Sequence, residues 1–364
     1  MIPELPAYLT SMGGEDYKGY IISLFTLSAA LSRPFSGKLA DTIGRIPVMV
    51  IGAVVCFVMG FIYPLIGSVT AFLLLRFFHG FSTGFKPTGT SAYVADVVPE
   101  NRRGEAMGLL GVFGSLGIAA GPAVGGVIAN IYSLNAMFYT SSVFAIMSVV
   151  ILLGMTETVA VKQPFSFSLL KIPLKDVFEP RVMAPSIVML LSAYSFGVVL
   201  TLIPDFSVHL GILNKGLFFA SFTASSILVR VMAGRISDRY GRVSVLRVST
   251  IMMMLSMWYV GISENPTEFF ISGALLGIAA GMNSPTIFAW TIDLSHELHR
   301  GRAMATMYIA MEIGIGIGAL ISAYLFHNEV DNISSAFNSG AIFSGMAFLY
   351  ILFIYKPKTL HNEV

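Results

Sequence analysis

The chain has 364 residues, of which 55% are hydrophobic and only 12% charged. Soluble domains usually carry about twice that share of charge, so a water-soluble enzyme or a nucleic-acid binder is a poor fit. The net charge is +2 and there is one cysteine, Cys56, which excludes a disulfide framework and a thiolate metal cluster.

A spanning helix needs about 20 mostly apolar residues. In chain order such runs fall at 17–36, 47–66, 69–91, 104–128, 133–155, 183–206, 215–233, 244–262, 267–290, 302–326 and 333–355. No cleavable signal peptide is expected from these residues. Of the 22 lysines and arginines, sixteen fall on one side of this pattern and two, Lys18 and Lys215, on the other. The positive-inside rule makes the crowded side cytoplasmic. The remaining four, Arg33, Arg76, Lys86 and Arg230, lie inside apolar runs.

The chain repeats itself. Arg33, Gly37, Asp41, Gly44 and Arg45 recur as Arg230, Gly234, Asp238, Gly241 and Arg242, each 197 positions on. At the same spacing Asp96 matches Asp293, and Arg103-Gly104 matches Arg300-Gly301. A register held through several helices implies two homologous bundles. The expected fold is all-α and membrane-embedded, with two pseudo-symmetric six-helix bundles. Residues 1–156 form the first, 157–181 a cytoplasmic linker, 182–356 the second and 357–364 a cytoplasmic tail. From the repeat, residues 2–10 are expected to be the outer end of a first helix whose earlier part would lie ahead of Met1. Within the linker, residues 171–178 (KIPLKDVF) read as a short interfacial helix.

These residues resemble the major facilitator superfamily. Its loop between helices two and three carries Gly-x-Leu-Ala-Asp-x-x-Gly-Arg, and Gly37 to Arg45 fits every fixed position; Gly234 to Arg242 has Ile-Ser for Leu-Ala. Its drug–proton antiporters carry an Arg followed by spaced glycines in helix four, matched by Arg76, Gly80 and Gly84. They carry Gly-x-x-x-Gly-Pro-x-x-Gly-Gly in helix five, matched by Gly117, Gly121, Pro122, Gly125 and Gly126. The resemblance implies a cytoplasmic gate. In it Asp41 meets the start of helix eleven near Gly301, and Arg45 pairs with Asp96. The mirrored set is Asp238 near Gly104, and Arg242 with Asp293.

The physical reading of these positions is consistent. Gly37 and Gly234 let a neighbouring backbone approach, and Gly44 and Gly241 allow a tight turn. Pro122 bends the fifth helix, while its glycines thin one face for another helix to press on. The bland alternative is that the charged turns only orient and solubilise the loops.

An ionisable group in the membrane needs a partner or water. Glu312 lies about 11 residues into the eleventh helix, roughly 16 Å along it, near mid-bilayer. It reads as a proton carrier or as a permanently protonated structural carboxyl. Glu4 is a second proton site or a vestibule residue. Arg76 is near enough to the surface to snorkel, yet fits a role in proton linkage, with Glu4 as partner. Lys86 holds an anionic substrate group, balances a carboxylate such as Glu312, or forms a structural ion pair.

The function expected is secondary active transport by alternating access, as proton-coupled efflux of small molecules. The alternative is uptake of a metabolite or organic anion by symport, with Arg76 and Lys86 as anion ligands. A non-transporting receptor on the same fold is a remote third. No nucleotide-binding loop or nucleophile constellation suggests an enzyme, and neither a cofactor nor a metal is expected. The partners expected are a small-molecule substrate, protons and the bilayer, with no nucleic acid. The protein is expected to be a monomer in a bacterial inner membrane, with both termini and the linker cytoplasmic.

Overall fold

The structure, a computed structural model, describes residues 4–14, 17, 20–173, 177–212, 216–327 and 329–354. Within them, nothing is described of the side chains at 6, 7, 22, 118, 119, 122, 123, 130, 330 and 354. Among the described residues the chain is all-helical. A short α1 (Leu5–Ser11) precedes α2 (Tyr20–Thr42), α3 (Arg45–Ile62), α4 (Val69–Val97), α5 (Arg103–Ile131) and α6 (Leu134–Leu153). Then come α7 (Met183–His209), α8 (Gly216–Tyr240), α9 (Arg242–Gly261), α10 (Pro266–Leu294), α11 (Arg300–Phe326) and α12 (Ile333–Leu349). Eight helices are long and apolar enough, within the described residues, to cross a membrane. The stretches that hold α2 and α4 carry Arg33, Arg76 and Lys86 within their apolar runs.

The helices outrun the apolar runs at their charged ends. Asp41 and Asp238 sit in the last turns of α2 and α8, not in loops. Each connection to the next helix is short and turns on a glycine of positive φ, 127° at Gly44 and 88° at Gly241. An L side chain rarely adopts that conformation.

Three helices that start away from the charged rim are capped from within, which none of four at the rim are. At the end away from this charged rim, α4, α6 and α10 carry their own caps. Ser68 accepts from Ala71 N (3.3 Å), Ser133 from Ala136 N (3.0 Å) and Asn265 from Glu268 N (3.0 Å). At the charged end α3, α5, α9 and α11 have no side-chain cap from their own N-cap residue. Their first N–H groups are left for other parts of the chain to satisfy.

Packing follows the repeat. In the first half α4 packs on α2 and α3, and α3 on α6; in the second, α10 packs on α8 and α9, and α9 on α12. The two largest contacts between the halves are α2 with α11 and α8 with α5, flanked by α5 with α10 and α4 with α11. One apolar cluster spans both halves, joining Ala95 and Met107 to Met189, Trp290, Met304 and Met307. It lies toward the charged end. At the other end the clusters stay within one half, around Tyr63 and Phe138 in the first and Phe206 and Phe269 in the second. The halves are therefore closed at the charged rim and joined less at the other.

One expectation fails. Gly117 and Gly121 of α5 were expected to carry a pressing helix, but a Cβ at either would meet nothing within 4 Å. They line a cleft of about 440 Å³ between α5 and α6, with Thr140 and Phe144 opposite. Their counterparts 197 residues on, Gly314 and Gly318, press on the backbone carbonyls of Leu190 and Tyr194 of α7. Gly125 is buried, and Gly126 lies near the Glu4 carboxylate. The Pro122 side chain lies outside what is described. In the linker, a 3-10 turn spans Phe167–Leu170 and residues 171–173 are irregular; 174–176 of the expected interfacial helix lie outside the described residues. The tail 357–364 does too.

Candidate functional site: a charged rim and a buried ion pair

The bare N-terminus of α11 is capped across the halves. Both Asp41 oxygens accept from it, one from Gly301 N at 2.6 Å and the other from Arg302 N at 2.9 Å. The mirrored carboxylate, Asp238, accepts from Gly104 N (2.8 Å) and Glu105 N (2.9 Å) at the start of α5. A carboxylate on a helix N-terminus meets both unsatisfied donors and the positive end of the helix dipole. Glycine makes the approach possible. A Cβ at Gly37 would lie 2.8 Å from the Ala305 Cβ, and one at Gly234 would run into the Gly104 backbone.

Four arginines hold these acids. Arg45 binds Asp41 (2.5 Å) and Asp96 (3.0 Å); Arg242 binds Asp238 (2.5 Å) and Asp293 (2.8 Å). Arg300 of the second half reaches Asp96 (2.6 Å), and Arg103 of the first reaches Asp293 (3.1 Å). So Asp96 and Asp293 each tie an arginine of their own half to one of the other. Arg103 and Arg300 stood in the repeat, but nothing in their spacing pairs them with these aspartates.

Among the described residues, the linker adds carboxylates to one copy of this network. Glu157 caps α3, accepting from Arg45 N (2.9 Å) and Ile46 N (3.0 Å), and Thr158 donates to Asp96 (2.6 Å). Glu179, itself buried, binds Arg302 at 2.7 Å. The position 197 after Glu157 is Ile354, which carries no carboxylate to repeat this cap.

Deeper in the membrane the structure corrects the sequence. Glu312 pairs with Arg33, not Lys86. The Arg33 guanidinium donates twice to Glu312 Oε1, from Nε at 3.2 Å and Nη2 at 2.8 Å. It also donates to Thr88 Oγ1 (2.9 Å) and lies 4.2 Å over the Tyr308 ring. The Tyr308 hydroxyl meets Ser91 Oγ at 3.0 Å. Arg33 is 1% exposed and Glu312 6%, so this is a desolvated pair between α2 and α11, one partner from each half. Glu312 Oε2 is buried with no hydrogen-bond partner. Sequence reasoning placed Arg33 in an apolar run but did not weigh it as a site residue. The signal was there, because a membrane arginine needs an acid and Glu312 was the acid placed at mid-bilayer.

Arg76 is a second correction. It is 2% exposed and does not snorkel. It donates to the Ile21 carbonyl (3.0 Å) and the Tyr63 hydroxyl (3.2 Å), and lies 4.4 Å over the Phe25 ring. The Tyr63 hydroxyl also meets His79 Nδ1 at 3.2 Å. No hydrogen bond or ion pair joins Arg76 to Glu4. Lys86 donates to Ser148 Oγ (2.7 Å) in a cleft of about 380 Å³ that also includes Cys56.

A doubled helical bundle whose halves meet at a repeated Asp–Arg turn has the architecture of a two-bundle membrane transporter. The sequence model of the Major Facilitator Superfamily matches residues 1–213 and 186–363, and the chain belongs to that family. It is a multi-pass integral membrane transporter and not an enzyme. The chain is similar to multidrug resistance protein MdtG of Escherichia fergusonii, at 27% identity over 90% of this chain and 84% of the relative. It is also similar to the multi-drug resistance efflux pump PmrA of Streptococcus pneumoniae, at 25% over 88% and 83%. Among solved structures it shares its fold with the human organic anion transporter MFSD10, at TM-score 0.81 and 17% identity over 96% of this chain and 88% of that one. The proton:xylose symporter XylE gives 0.81 and 15% over 97% and 90%.

Proposed function

We propose that this chain is a proton-coupled exporter of small molecules, in which residues 1–156 and 182–356 rock as two bundles about the linker 157–181. Relatives named for multidrug resistance and drug efflux support the direction. The charged rim is then cytoplasmic, and the arrangement described is the state shut toward the cytoplasm. Asp41 and Asp238, each on the helix of the opposite bundle, hold that state and are released when it opens.

The observation that carries the coupling is the Arg33–Glu312 pair. It spans the two bundles, and the free Oε2 of Glu312 is a place for a proton. Protonation removes the charge that holds Arg33 and weakens one tie between α2 and α11. A proton entering from outside therefore favours parting of the bundles on the cytoplasmic side, where substrate binds. Return of the proton to the cytoplasm restores the tie.

The test uses everted vesicles with an acid interior and ethidium as the probe. The wild-type chain should accumulate ethidium with the gradient, and Glu312→Gln should lose that dependence. Undiminished gradient-driven accumulation in Glu312→Gln would remove the residue from the coupling. Imposing the opposite gradient separates export from uptake.

A further inference from the structure

Arg230 stands in α8 where Arg33 stands in α2, 197 positions on. Both lie eight residues, about 12 Å along the helix, from the rim aspartate. Their surroundings have diverged. The groups that hold Arg33 are Glu312, Tyr308 and Thr88; the matching positions in the other interface are Ser115, Gly111 and Pro285. The acid, the ring and the hydroxyl that served Arg33 have each been exchanged for a group that offers a guanidinium little.

What remains around Arg230 is sparse. Its Nε donates to Ser226 Oγ at 3.1 Å. No carboxylate among the described residues lies within ion-pair distance of it. The guanidinium extends across the interface to α5, where Nη1 lies against Gly111, and a Cβ there would collide with it. Gly111 thus makes room for the fork in the place where the other interface puts the Tyr308 ring. Arg230 is partly buried, Ser115 beside it is partly exposed and Gly114 is open, so the fork is desolvated yet reachable. A cation in a membrane interface needs a counter-charge, and the planar guanidinium fork matches a two-oxygen anion better than any neutral group.

We propose that Arg230, in the space left by Gly111, is a binding site for a singly charged oxygen anion, a carboxylate or phosphodiester carried by a transported solute or by a lipid. The site is independent of the direction of transport, and its test needs no gradient.

The experiment is thermal unfolding of the full chain in phosphatidylcholine nanodiscs, with sodium benzoate, with its neutral analogue benzamide, and with phosphatidylglycerol added to the disc. Benzoate should raise the midpoint of the wild type and benzamide should not. The shift should vanish in Arg230→Gln and persist in part in Arg230→Lys. It should also be lost in Gly111→Ala, which keeps the charge but displaces the fork. An Arg230-dependent shift with benzoate assigns the site to a solute, and one with phosphatidylglycerol alone assigns it to a lipid. Equal shifts in wild type and Arg230→Gln, or no shift with either anion, would overturn the proposal. If Arg230→Gln does not fold, retention of the full shift in Gly111→Ala overturns it as well.

Discussion

The α2–α11 and α8–α5 interfaces occupy equivalent places in the repeat, and at the rim they are built alike. Each has an aspartate on the opposite helix N-terminus, an arginine across two acids, and glycines that bring the backbones together. Eight residues deeper they part. One holds a closed ion pair against an aromatic ring, the other an arginine that, among the described residues, donates to one serine. The rim is the part that both copies of the repeat keep alike. The interior is where the copies differ, one holding an ion pair and the other an arginine with no carboxylate at ion-pair distance among the described residues.

The largest expected contrast comes from truncating the two arginine sites. Glu312→Ala strands Arg33 as a buried, unpaired cation, which should cost about 3–5 kcal/mol. Arg230→Ala breaks no ion pair and should cost far less. Thermal unfolding in detergent reads both, and equal losses would break the contrast. Replacing Arg33 and Glu312 together by leucine should recover much of the stability lost in Glu312→Ala.

Next in size are the rim positions. Asp41→Asn gives up charge-assisted bonds to two backbone donors, each worth about 1.5–3 kcal/mol in the shut state. Gly37→Ala should disfavour the same state by about 1–3 kcal/mol through overpacking on Ala305. Both should raise the reactivity of cysteines placed at the rim toward a water-soluble maleimide, and unchanged labelling would deny the latch. Smaller again is Glu157→Ala. It removes a cap on α3 that has no counterpart among the described residues of the second half, at about 0.5–2 kcal/mol, and should lower the unfolding midpoint modestly. Smallest is Arg235→Ala. The Arg235–Glu105 pair spans the halves at 2.8 Å but the arginine is 66% exposed, and the substitution should leave both labelling and stability unchanged.

Much of this was legible in the sequence, because the repeat is a statement about space. Residues 197 apart must occupy equivalent places, so Asp41 and Asp238, or Arg45 and Arg242, could be treated as one device. The helix runs were legible from apolar length, though not their ends, since charged residues continue α2 and α8 past the apolar stretch. What the sequence did not yield were partners far apart in the chain and outside the repeat. Arg33 and Glu312 are separated by 279 positions, and no periodicity links them. Glu157 and Glu179 sit in a linker that has no second copy, so their roles at the rim left no echo. Arg76 and Lys86 were placed on a helix from the sequence, but helix geometry alone does not say which neighbour a long side chain meets.

The most direct measurement is the distance between the two halves at the rim when the ion pair is discharged. Spin labels at exposed Asn101 and Leu298, one on each half, with Cys56→Ser, would report it by double electron–electron resonance. The account predicts that Glu312→Gln shifts the distribution toward longer distances than the wild type shows at neutral pH, and that acidification does the same to the wild type. A distribution that stays short and unchanged in Glu312→Gln would contradict the link between this carboxylate and the opening of the bundle.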